Sequence, residues 1–173
     1  MRINDFRAVG LVMLLAACGG APEAEVDRQD SPQEDPEAVG IDLSAEGFPL
    51  VVHPPEGLDD PLEVTWVEEF GHLEVTAGDR FALIITEGLA DIQRLKADLD
   101  RDLLRTHTVL REDADHVVYK SAFPDDPDLV FVHFYQVIDA GGSTFVVESR
   151  PEGRFDQADV DAMAQAVKAK EPA

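Results

Sequence analysis

From residue 41 onward the apolar positions fall into short alternating runs broken by turn residues, with two longer stretches of helical period. Phe48 to His53 reads as a short strand stopped by Pro54-Pro55. Leu62, Val64 and Trp66 alternate with Glu63 and Thr65; Leu73 and Val75 alternate with Glu74 and Thr76, and Gly71 marks the turn between the two runs. After the tight turn Ala77-Gly78-Asp79, Phe81 to Thr86 is an unbroken apolar run of the kind buried on both faces in mid-sheet. These runs together describe a meander.

A helix is expected from Glu87 to Arg105, with Leu89, Ile92, Lys96, Leu99 and Leu103 on one stripe, Leu95 beside it and the Lys96 stem lying on apolar surface. Asp91, Arg94, Asp98 and Arg101 recur at spacings of three and four on the other side, the pattern of a solvated, self-pairing face. Strands resume over Thr106–Arg111, His116–Ala122, Leu129–Ile138 and Thr144–Arg150, the last two joined by the hairpin loop Asp139-Ala140-Gly141-Gly142. Asp156 suits the N-cap of a closing helix, with Asp159 three residues on and Phe155 and Val160 placed as a hydrophobic staple. Val160, Met163, Ala164 and Val167 make its buried stripe, and Lys168 and Lys170 sit at the negative end of its dipole. The fold class is α+β, in the order β-β-β-α-β-β-β-β-α: an antiparallel sheet covered by two helices as a layered α/β/α sandwich.

Upstream the pattern disappears. Gly19 to Gly40 holds three prolines, seven acids and one base, a net charge of −6, and almost nothing to bury. Residues 18–40 therefore read as a disordered acidic tether with a reach of roughly 25–30 Å. Residues 41–173 read as one domain, long enough to bury a core without covalent staples.

The first residues change the picture most. Arg2 and Arg7 precede ten apolar or glycine residues, Ala8–Ala17, too few to span a bilayer and of the length of a signal core. The run ends in Leu15-Ala16-Ala17-Cys18, and Cys18 is the chain's one cysteine. This resembles the lipobox of bacterial lipoproteins. The resemblance implies a signal peptide over 1–17, cleavage before Cys18, and lipid (a thioether-linked diacylglycerol and an amide-linked acyl chain such as palmitate) on Cys18. Three acyl chains exceed the two signals that stable anchoring needs. Gly19, where inner-membrane retention often has Asp, points to the outer membrane, on its periplasmic face or the cell surface.

Charge and composition mostly exclude. With 36 acids against 14 bases the net charge is −22, which repels nucleic acid and anionic lipid. The dispersed acid suits either a saline habitat or an acidic envelope protein of a GC-rich genome, where Arg (10) exceeds Lys (4). One cysteine leaves no disulfide framework or thiolate metal site.

Candidate chemistry is sparse. No G-x-S-x-G is present, and Ser143 after Gly141-Gly142 reads as a hairpin residue. None of His53, His72, His107, His116 and His133 forms an i, i+4 helical pair. His133, on a face with Leu129, Phe131, Tyr135 and Val137, reads as a packed, hydrogen-bonded histidine rather than a ligand-pocket group. His116 with Asp113 and Asp115 reads as a solvated turn. Asp125, Asp126 and Asp128 offer oxygens to a cation but lack the spacing of a calcium loop. Glu148 and Asp139 would serve as an acid–base pair only where the fold unites them.

Element order, the opening Phe48-Pro49-Leu50-Val51-Val52-His53-Pro54 and the closing strand plus helix resemble the PsbP/Mog1/DcrB-like domains, although Gly57 is followed by Leu58 where those domains often carry an aromatic. The resemblance implies a non-enzymatic binding or assembly factor. The expectation is thus a lipid-anchored envelope adaptor with a protein partner, no catalytic residues, no metal and no cofactor. The alternatives are a cation- or small-ligand-binding module and an acid–base enzyme.

Overall fold

The computed structural model describes residues 40–171. The expected signal segment, Cys18 and the acidic stretch up to Val39 lie outside the described residues. The strands are β1 (Ile41–Asp42), β2 (Leu50–Val52), β3 (Glu63–Val67), β4 (His72–Ala77), β5 (Phe81–Glu87), β6 (Thr106–Glu112), β7 (His116–Phe123), β8 (Asp126–Ala140), β9 (Ser143–Ser149) and β10 (Val167–Ala169). The helices are α1 (Ile92–Arg101) and α2 (Gln157–Ala166), with a 3-10 turn at Leu43–Glu46.

The fold is α+β. Seven strands form one sheet in the order β3-β4-β5-β9-β8-β7-β6, every neighbouring pair antiparallel. β1, β2 and β10 form a second, three-stranded antiparallel sheet. Five strands precede α1 rather than three, and one follows α2. β2 lies within the expected Phe48–His53 strand, whereas β1 and β10 were not expected: their two or three residues carry too little alternation to read.

Alternation sorts the large sheet into two faces. One face carries Leu73, Val75, Phe81, Leu83, Ile85, Val118, Phe134, Phe145 and Val147, all fully buried. Leu50 and Val52 of β2 and Val160 and Met163 of α2 join them in the core. The other face carries Val117, Tyr119, His133, Tyr135, Glu148 and Ile84. α1 lies over that face: its N-cap Asp91 N–H donates to Tyr135 Oη at 3.4 Å, and Lys96 Nζ reaches Glu112 at 2.8 Å. The helices therefore cover opposite faces, and between them β5 over Phe81–Ile85 and β7 over His116–Val118 are buried on both.

α1 is half the expected length. Asp91 accepts from Gln93 and Arg94 N–H and starts the helix at Ile92, five residues late. Asp102 ends it by accepting from Leu104 and Arg105 N–H. Leu89 and Leu103, expected on the buried stripe, lie outside the helix and are fully exposed. α2 begins as expected, with a capping box between Asp156 and Asp159 and with Phe155 and Val160 buried as the staple. Its end differs. The chain turns extended at Val167, and β10 pairs with β2, so Lys168 and Lys170 do not cap a helix; Lys170 Nζ instead meets Asp42 at 2.6 Å.

Candidate functional site

A cluster of titratable groups lies on the face under the C-terminal end of α1. His107 and Ser121 stand directly opposite each other in the β6–β7 ladder. Ser121 Oγ is 2.8 Å from His107 Nδ1, and His107 Nε2 is 3.0 Å from Asp102 Oδ2. With Asp102 ionised, the assigned tautomer has Nε2–H donating to the carboxylate and Nδ1 accepting from the hydroxyl. Asp102 also accepts from Leu104 N–H and from the Arg105 guanidinium, and these bonds hold its carboxyl well below the usual carboxylate range.

The order Ser–His–Asp matches that of a nucleophilic relay, but its surroundings do not suit acyl transfer. Ser121 is 1% exposed, so no substrate carbonyl reaches Oγ. β7 is an interior strand, and its backbone N–H groups are engaged in ladders with β6 and β8. They leave no pair of donors to cradle an oxyanion. The relay ties the end of α1 to two strands. Sequence reasoning missed it because it exists only through the β6–β7 register, which His107 and Ser121 do not announce at a separation of fourteen residues.

Next to it, His133 packs on Tyr119 at 5.5 Å and stacks on Phe131 at 6.2 Å, with Nδ1 3.1 Å from Ser149 Oγ. Burial, with Arg105 nearby, pushes its imidazole down to about 4, so it is neutral at pH 7. Burial and the charge of Glu148 push the Tyr119 phenol up to about 12, and burial raises Glu148 itself. His133 is thus the packed, bonded histidine that its strand position implied.

The remaining candidates are dispersed. Glu148 faces Tyr135, while Asp139 lies four residues further along β8 opposite Thr144, about 13 Å away along the strand. Asp139 accepts from the Thr144 hydroxyl at 2.6 Å, so the fold does not unite this pair. Ser143 donates to Glu87 at 2.6 Å in the hairpin. His116 is no solvated turn: it opens β7 on the core face, 9% exposed and 6.1 Å from Phe134. Asp126 and Asp128 belong to β8, with Asp125 in the turn before it. Among the described residues no three His, Cys, Asp or Glu side chains converge to hold a metal, and no helix is long and apolar enough to cross a membrane.

A separate cavity of about 290 Å³ opens between the Pro55–Asp60 loop, the β4–β5 turn and the start of α2. Leu58, Ala77, Phe81 and Ala162 give it an apolar wall. Arg80 closes one side through Asp159, at 2.7 and 2.8 Å, linking the turn to the capping box of α2. Comparison with protein-family models, with curated proteins and with solved structures finds no match.

Proposed function

We propose that this protein is a lipid-anchored binding or assembly module of a bacterial envelope, held by lipid on Cys18 and acting without catalysis on an envelope protein partner. One observation carries the reading: the only cysteine stands at the end of Leu15-Ala16-Ala17-Cys18, after a basic start and a short apolar run. The sealed Ser121 hydroxyl adds support, because the Ser121–His107–Asp102 relay has no access to substrate. The outer membrane is the proposed address. A second reading, a small-ligand module, draws on the apolar-walled cavity beside Phe81.

Two measurements test this. Feeding cells an alkynyl palmitate analogue labels the wild-type chain and not Cys18→Ser, and mass spectrometry finds the mature N-terminus at Cys18. Label retained in Cys18→Ser, or a mature chain starting elsewhere, overturns the anchor. Crosslinking in intact cells followed by purification of the full chain recovers a stoichiometric envelope partner. Background proteins alone overturn the adaptor role and leave the cavity reading.

A further inference from the structure

The two open edges of the large sheet differ in kind. β6, at one end, is blunted by a register shift between Val109 and Arg111, a device that discourages further strand pairing. β3, at the other, pairs evenly with β4 along its whole length and has no second neighbour among the described residues. Its row of outward N–H and C=O groups is regular and open.

Three further observations fall on that same edge. Trp66 in β3 and Phe70 just after it are 49% and 68% exposed, large aromatics of the type that anchor interfaces. Trp66 lies 6.2 Å from Phe48, and the two rings form one wall of an open groove with Glu46 and Glu87 at its rim. The charge is one-signed: residues 41–79 hold ten acids and no Lys or Arg. Glu46, Glu63, Glu68 and Glu69 form no ion pair among the described residues. By contrast, residues 94–120, which include β6, carry six acids and six bases.

We propose that β3 is the docking edge, and that its occupant is an extended, basic segment of a partner polypeptide that adds as an eighth strand and places an apolar side chain in the Phe48–Trp66 groove. Backbone pairing supplies affinity, the groove selects alternate side chains, and the uncompensated carboxylates select lysine and arginine over acid. A second copy of this chain fits poorly, because its β3 edge carries the same one-signed acidic charge and its β6 edge is bulged and nearly neutral. The inference deepens the adaptor reading by naming the partner's chemistry, and it does not depend on lipid at Cys18. Failure of the labelling experiment leaves it standing, and the reverse holds too.

The test uses the purified full chain and a nine-residue peptide of alternating lysine and valine. Trp66 is the only tryptophan, so its fluorescence reports the edge directly. Saturable binding is expected, with amide NMR shifts concentrated on Glu63–Val67 and affinity falling as salt rises from 0.05 to 0.5 M. The same peptide N-methylated on alternate backbone amides loses about tenfold or more, since methylation removes the N–H donors that pair with β3. Trp66→Ala, followed by calorimetry, loses about tenfold. A glutamate–valine peptide should not bind. Equal binding of the N-methylated peptide, shifts centred away from β3, no binding at all, or sedimentation showing the edge occupied by a second copy would each overturn the proposal.

Discussion

Arg80 and Asp159 are 79 residues apart in sequence, yet the guanidinium and carboxylate meet through two contacts, 2.7 and 2.8 Å long. Asp159 is only 8% exposed and also returns a bond to the Asp156 N–H. One carboxylate thus fixes both the start of α2 and the β4–β5 turn. Removing it as Asp159→Ala should lower stability by about 1–2 kcal/mol, as the loss of a cap and a charged hydrogen bond. Urea unfolding reads the shift. Asp159→Asn should recover part of it by keeping an acceptor for the Asp156 N–H.

The two helices should fail very differently. α2 buries Val160, Met163, Ala164 and Ala166, whereas α1 buries only Ile92. Met163→Ala should cost about 2–5 kcal/mol through the cavity it leaves. Leu95→Ala, on the half-buried flank of α1, should cost under about 1 kcal/mol. Hydrogen exchange should show α1 opening well below the global unfolding free energy, and equal protection of the two helices would contradict this.

The Ser121–His107–Asp102 relay should matter to stability and not to turnover. Ser121→Ala leaves His107 Nδ1 without its donor in a part-buried site and should cost about 1 kcal/mol. Any activity of the purified chain toward activated esters should be the same in wild type and Ser121→Ala. A loss of turnover specific to the variant would make the hydroxyl a nucleophile after all.

Acidification should destabilise the domain before the carboxylates titrate. The folded state holds His133 neutral to about pH 4, while the unfolded chain protonates it near 6.5. A depressed histidine contributes stability that is fully present above the unfolded value and is lost as pH falls between the two. At about 1.4 kcal/mol per unit, the loss approaches about 3 kcal/mol by pH 4. His116 is depressed by burial and adds in the same direction. Glu148, raised by burial, runs the other way: its contribution is fully present below its ordinary range and is lost as pH rises from there through its raised value. His133→Leu should flatten the decline in urea midpoint between pH 6.5 and 5, and an unchanged slope would assign the decline elsewhere.

Elements whose local pattern is long and regular were legible: β4, β5, β7, β9 and α2 start or end within a residue or two of where periodicity places them. α1 was overdrawn because Leu89 and Leu103 continue a helical period that Asp91 and Asp102 interrupt by bonding nearby backbone N–H groups. Capping aspartates compete with periodicity, and the period alone does not reveal the winner. β10 was illegible for a different reason: it exists because its backbone finds β2, more than a hundred residues upstream. The relay was hidden in the same way, since His107 and Ser121 acquire their relationship from register. His133 was readable from its apolar neighbours alone, whereas His116 was misread because two aspartates flank it on the turn side.

β1 and β10 flank β2 in the small sheet, and because each runs antiparallel to β2 they point the same way. Tension applied at the N-terminal end of β1 and the C-terminal end of β10 would therefore act along the strands in opposite senses. The five paired positions of β2's two ladders would be loaded together in shear, not peeled one after another. Mechanically, the small sheet is a clasp at the two ends of the domain, and a pull between those ends meets it before it reaches the seven-stranded core.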